Sequence, residues 1–401
     1  MNARRILFLV ARLGVFAVLI FVIGRQLQWE DRVTVLEGAE RTTYTGRVDK
    51  EARSARSITI VTREGDRLEI SRDRIEGRRP LYGLRTMFQQ MNWKYFGFAF
   101  LCMAGTISIT ALRWRQLVRI RGIPLRKSEA IRLTYLGLFF NNAVPGATGG
   151  DVMKAYYAAR DREDKAEVFA SVFLDRIIGL VALIVLAAVV LLFHSADPKF
   201  RRLAVNVSLF LVVLAIGGTV YYSRRLRRLS GLSSLATRLP FQSQFRKVDR
   251  GFFHYRFHKG ALAAAFGVSF LAHGFTIVSH VFIGEALRFD VDVESYFVFV
   301  PIGQVASAIP LFPGGWGVRE ATYGMLFKGS GLPFGYGAAL GILHGLIVVA
   351  WSLVGGVLFL SGHERLPKRG LDDALVDGVA GRVDPEDPGT DAGRSETSGA
   401  G

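Results

Sequence analysis

The chain has 401 residues, half of them hydrophobic, with a formal net charge of +17 and one cysteine, Cys102. A lone cysteine excludes an intramolecular disulfide framework and any cysteine-based metal cluster. The apolar residues come in long runs separated by charge-dense stretches, so the positive charge reads as basic loops facing anionic headgroups; no nucleic-acid partner is expected.

The first apolar run, 6–24, follows Arg4 and Arg5 and resembles a signal peptide, but no A-x-A-like cleavage site comes after it. Residues 1–24 are therefore expected to remain as a first membrane helix, with Arg12 snorkelling to the cytoplasmic end. Residues 25–92 differ in character. Two β-branched stretches, Ser57–Thr62 and Arg67–Ser71, flank Glu64, Gly65 and Asp66, which is a hairpin signal, and Val33, Thr34 and Val35 suggest a further strand. This predicts a small β-rich insertion outside the membrane.

Runs at 95–112, 169–193, 203–222, 261–287 and 334–360 each approach the roughly 20 residues needed to cross about 30 Å of hydrocarbon. With the first run they give about six spanning helices. Regions 129–160 and 295–330 are apolar too, but Pro and Gly interrupt them. The tail, 363–401, is poor in apolar residues and is expected to be disordered and cytoplasmic.

Loop charge sets the expected orientation. Arg113, Arg115, Arg119, Arg121, Arg126 and Lys127 follow the second span, and 223–259 is strongly basic. The segment after the fifth span contains Asp290, Asp292 and Glu294. The positive-inside rule then places both termini in the cytoplasm and the β insertion outside. The loop 194–202, with Lys199, Arg201 and Arg202, fits less well. Six spans already satisfy this parity, so each interrupted region must enter and leave on one side, as a re-entrant segment, or cross twice. Non-helical backbone survives at membrane depth only where protein covers it or a wet cavity adjoins it.

The two interrupted regions share a pattern. The first runs through Asn142, Pro145, Gly149 and Gly150 to Asp151; the second runs through Pro310, Pro313, Gly314, Gly315 and Gly317 to Glu320. Glycine lets backbone approach a ligand, and a helix that starts just after it points unpaired N–H groups into the break, where an anion such as a lipid phosphate is favoured. Alternatively, Asp151 and Glu320 simply cap surface helices. A matched pair of Gly/Pro-interrupted segments in two halves favours an inverted-repeat transport site.

Other charged residues carry two readings each. Asp175 and Arg176 near the start of a strong span are either a functional pair or an interfacial anchor. Arg113 and Arg115 could hold a phosphate through bidentate contacts or only anchor the topology. His273, His280 and His344 lie in spans, where they could relay protons or hydrogen-bond across helices. Arg319 could act as a counter-charge to Glu320, whereas Lys154 and Arg160 are expected at the cytoplasmic surface. No H-E-x-x-H, G-x-S-x-G or P-loop pattern is present, so no catalytic residues, metal or cofactor are expected.

Arg113-Trp114-Arg115, the Asn142 to Asp151 segment, Asp175-Arg176 and the Pro310 to Glu320 segment together resemble the lysylphosphatidylglycerol synthase transmembrane region, a flippase-like (UPF0104-type) family, over about residues 90–362. The resemblance implies an all-α polytopic membrane domain, 93–362, that moves or handles lipids. No soluble aminoacyl-transfer domain follows it, which argues against lipid synthesis. The expected function is translocation of an anionic or phosphate-bearing lipid between leaflets of the plasma (inner) membrane, with membrane lipids as partners. A membrane-embedded transferase or hydrolase on a lipid-linked substrate, or a non-transporting accessory protein, are the alternatives.

Overall fold

The computed structural model describes residues 29–37, 40–49, 57–62, 64–75, 80–143, 149–160, 165–193, 257–308 and 313–363, with isolated residues elsewhere. The expected first span (6–24), except for Gly24, and the tail from 364 lie outside the described residues. So does most of the run at 203–222, whose few described residues are helical.

Four antiparallel strands come first: β1 (Asp31–Glu37), β2 (Glu40–Val48), β3 (Ser57–Thr62) and β4 (Arg67–Ser71), ordered β1-β2-β3-β4. The β3–β4 hairpin has the expected bounds, and its turn places Gly65 at φ +94°, where a side chain would be strained. Alternation of side chains sends Val33, Val35, Val48, Ile58, Ile60 and Ile70 to one buried face. The chain then returns along the outer side of β1: Ile75 pairs with Val35, and Leu81 exchanges two backbone hydrogen bonds with Arg32. The first strand is thus partly paired on its second edge as well, which shortens an edge open to aggregation.

The buried Asp31 ties this unit to the helical domain. Its carboxylate accepts from the Val48 N–H (2.8 Å), the Gly83 N–H (2.7 Å) and the Thr86 hydroxyl (3.0 Å). Thr86 belongs to α1 (Leu84–Gln89), and the neighbouring Tyr82 N–H donates to the Tyr336 hydroxyl.

Among the described residues, two units of four helices follow. The first is α2 (Trp93–Ile120), α3 (Lys127–Ala143), α4 (Gly149–Ala159) and α5 (Lys165–Phe193). The second is α6 (Lys259–Ala286), α7 (Val293–Ser307), α8 (Val318–Gly329) and α9 (Phe334–Leu358). Their lengths, 28, 17, 11 and 29 residues against 28, 15, 12 and 25, show one plan used twice. The long members, with α9 continuing to Ser361, are apolar and long enough to cross a membrane. They coincide with four of the six expected spans.

The units run in opposite directions. The Asn92 N–H at the start of α2 donates to the Ala286 carbonyl at the end of α6. Further along, Ser279 Oγ reaches the Ala99 carbonyl, and the Thr106 and Thr276 hydroxyls meet at 3.3 Å. Beyond them Arg113 meets Ser269, and the Tyr255 hydroxyl donates to the Leu117 carbonyl. Small and hydroxyl side chains on this seam let two helix backbones approach while their hydroxyls bond across. In each unit the two short helices fold back into a hairpin. A Cβ added at Gly150 would collide with the Gly137 carbonyl oxygen, so α3 and α4 touch backbone to backbone there. Gly303 lies similarly against Tyr323, joining α7 to α8. Each hairpin packs on the last helix of the other unit, α3 on α9 and α7 on α5.

Candidate functional site

The end of α3, beside the first break, lies against the second break. The second break holds Gly314, Gly315 and Gly317 at φ +61°, +71° and +82°, left-handed conformations that β-carbons oppose. Gly314 lies directly against the Asn142 side chain of the first hairpin. Asn142 is held by its Nδ2, which donates to the Leu138 carbonyl, while the neighbouring Asn141 Oδ1 accepts from the Gly150 N–H across the first break.

Charge gathers around the first hairpin. Arg113 is buried: its Nε donates to Asp175 Oδ1 at 2.8 Å, one terminal nitrogen to Ser269 Oγ at 2.7 Å and the other to the Asp175 carbonyl. Gly179, one turn beyond Asp175, leaves room for the guanidinium, since a Cβ there would sit 3.1 Å from it. Next to Arg113, the buried Trp114 donates from Nε1 to Ser171, and the Lys154 ammonium lies 3.9 Å above its ring. Such a cation–π contact suits a desolvated lysine. Arg176 then pairs with Asp151 at 2.6 Å, its side chain 60% exposed.

These groups act on one another through space. Asp175 lies ten residues into a 29-residue helix, about 15 Å from its start. The cluster contains three cations (Arg113, Lys154, Arg176) and two carboxylates (Asp151, Asp175), leaving one positive charge in excess among the described residues.

The second hairpin repeats part of this plan. The buried Arg319 donates from Nε (3.1 Å) and a terminal nitrogen (2.6 Å) to Glu320 Oε1, and lies 5.1 Å from the Trp316 ring. Gly345 of α9 leaves room for it, as Gly179 does for Arg113. Glu320 Oε2 accepts the Gly317 N–H, so the start of α8 is capped by its own carboxylate.

The sequence profile described as the lysylphosphatidylglycerol synthase TM region matches residues 82–356, from just before α1 to near the end of α9. The chain belongs to that family. Two UPF0104 membrane proteins are similar to it. That of Pyrococcus horikoshii is 25% identical over 67% of this chain and 87% of its own length. That of Methanothermobacter thermautotrophicus is 24% identical over 69% and 84%. No solved structure matches. Membership of the lysylphosphatidylglycerol synthase TM region family and the apolar helices make this a multi-pass membrane protein. The β unit at 31–75 precedes the matched region.

Within this family domain the structure brings Arg113, Asp151, Asp175 and Arg176 together, and sets Asn142 against Gly314. Gly149 and Gly150 open α4, Gly315 and Gly317 lie in the second break, and Glu320 faces Arg319. Arg115 stands apart, since its Nε donates to the Leu125 carbonyl and fastens the α2–α3 loop. Pro145 lies outside the described residues, and Pro313 begins the short 3-10 turn of the second break.

One expectation is corrected. Lys154 does not sit at a surface; it is 5% exposed, because the face of α4 that carries it packs on Trp114. Asn141 and Ser269 escape sequence reasoning. An Asn-Asn pair before a break signals the first, whereas nothing local singles out a serine on α6.

Proposed function

We propose that this protein translocates an anionic or phosphate-bearing lipid between leaflets, with the headgroup passing the charged cluster while the hydrocarbon chains stay in the bilayer. The excess positive charge about a third of the way along α5 carries this reading. Exposed guanidinium at that depth is costly against acyl chains, so Arg176 must border a hydrated space. The same face of α5 exposes Phe173, Ile177 and Leu180, an apolar wall beside a cationic group. An amphipathic lipid offers both. Two antiparallel units meeting at their breaks support alternating access by movement of one hairpin against the other.

In this arrangement both hairpins are re-entrant, from opposite faces, and both termini lie in the cytoplasm. The β unit then stands outside, at the end of the bundle where α6 ends and α9 begins. The protein acts in the plasma (inner) membrane without a covalent step.

The test uses purified protein in proteoliposomes, following leaflet exchange of fluorescent phosphatidylglycerol and phosphatidylcholine. Arg176→Gln removes an exposed charge and leaves packing intact. It should slow phosphatidylglycerol exchange at least about tenfold, as loss of a charge-assisted contact predicts. Equal rates in wild type and variant would discard the assignment. A new covalent lipid product found by mass spectrometry would replace transport with transfer or hydrolysis.

A further inference from the structure

The second hairpin adjoins a buried imidazole without a hydrogen-bonding role. His280 of α6 is fully committed: its Nδ1 faces the Thr276 carbonyl at 2.8 Å and its Nε2 faces the Tyr323 hydroxyl at 3.1 Å. Nδ1 must donate to a carbonyl, so in the neutral ring Nε2 accepts from tyrosine. His344 of α9 stacks on it, with ring centroids 4.3 Å apart. It is 3% exposed, and neither of its ring nitrogens has a hydrogen-bond partner among the described residues. A buried polar group left so is rare and marks strain, function or a bound species.

The surroundings give this imidazole something to act on. The groups acting electrostatically on His344 are His280 from α6 and Arg319 from α8. Arg319 is at present held by Glu320, and it lies against Gly345, the next residue after His344. Helices α2 and α3 meet α9 further along, near Trp351 and Gly355, and Tyr336 near its start faces the β unit.

We propose that His344 is the binding site of a coupling proton, whose charge releases Arg319 from Glu320 to meet an anionic headgroup at the second break. The proton adds to an open ring nitrogen, forming one N–H bond, and no other bond forms or breaks. A cation on His344 repels the Arg319 guanidinium, so the Arg319–Glu320 ion pair loosens. An anion entering the break restores neutrality among these buried charges, and proton and anion therefore favour each other's binding. They cross together as a neutral pair. This inference rests on the lipid-transport reading, but the proton site can be read without any lipid substrate.

Trp316, beside Arg319, reports locally. Its contribution is the difference in fluorescence between wild type and Trp316→Phe. Titrated downwards from pH 8 in phosphatidylcholine nanodiscs, it should change in a one-proton step that His344→Gln abolishes. The same step in His344→Gln, or none in wild type, overturns the proton site. His344→Asn serves equally if the glutamine variant does not fold. In proteoliposomes, a one-unit pH gradient should drive about a tenfold leaflet asymmetry of fluorescent phosphatidylglycerol, one proton converting a tenfold ratio into a tenfold ratio. Exchange indifferent to the gradient removes coupling alone. Absence of any exchange removes the lipid reading, whatever Trp316 does.

Discussion

Gly314 in the second hairpin lies against Asn142 in the first: a Cβ added to Gly314 would approach the Asn142 Oδ1 to 2.6 Å. This contact joins the two breaks, and it exists only because the two units run antiparallel. Gly314→Ala meets two obstacles, the amide and a backbone at φ +61°. A strained non-glycine residue costs about 1–3 kcal/mol. The variant should melt several degrees lower in detergent, and Asn142→Ala in the same chain should restore part of that loss by removing the clash.

The Arg113–Asp175 pair is buried on both sides, with Ser269 satisfying another guanidinium donor. Removing one partner of such a pair leaves a naked buried charge, typically worth about 3–5 kcal/mol. Asp175→Leu or Arg113→Met alone should therefore destabilise the fold strongly. Arg113→Met with Asp175→Leu should recover most of it. Thermal unfolding of the four proteins gives the coupling, and additive losses would show that the pair is weak.

Asp31→Ala strips three donors of their acceptor, on Val48, Gly83 and Thr86. Each buried unsatisfied donor costs about 1–3 kcal/mol. The β unit should lose its attachment to α1, and limited proteolysis should cut within 29–83 while the helical domain from Trp93 survives. Uncut protein under conditions that leave wild type intact would count against this role.

Lys154 over Trp114 offers a contrast. Methionine keeps the stem and the ring contact while removing a desolvated ammonium. Lys154→Met should change stability by less than about 1.5 kcal/mol, as volume-conserving swaps do. It should nevertheless slow phosphatidylglycerol exchange, because the cluster's excess positive charge disappears. A variant that is both stable and fully active would detach Lys154 from the site.

Much of this architecture is legible in local pattern. The four long helices among the described residues follow apolar runs of bilayer length, and the β3–β4 hairpin follows β-branched stretches around Gly65. β2 is harder to see although Thr42, Thr43, Tyr44 and Thr45 carry strand propensity, because polar threonines dilute the apolar alternation that betrays a half-buried strand. The two breaks are legible as well, since proline and paired glycines cannot continue a helix.

The charged partners are another matter. Asp175-Arg176 reads as one pair in sequence, yet successive residues on a helix point apart, and each finds a partner elsewhere: Arg113 on α2 and Asp151 on α4. Lys154 and His344 likewise look like any surface lysine and any helix histidine until the helices around them are placed.

That this chain enters a membrane, where it breaks, and that the breaks come in two copies are all written in the order of its residues, because hydrophobic length and backbone chemistry are properties of contiguous segments. The antiparallel relation of the copies, the meeting of Asn142 with Gly314, and the choice of carboxylate for each arginine emerge only on folding. Those relations depend on helix faces brought together from residues far apart in the chain, and charge at bilayer depth acts through distance in space.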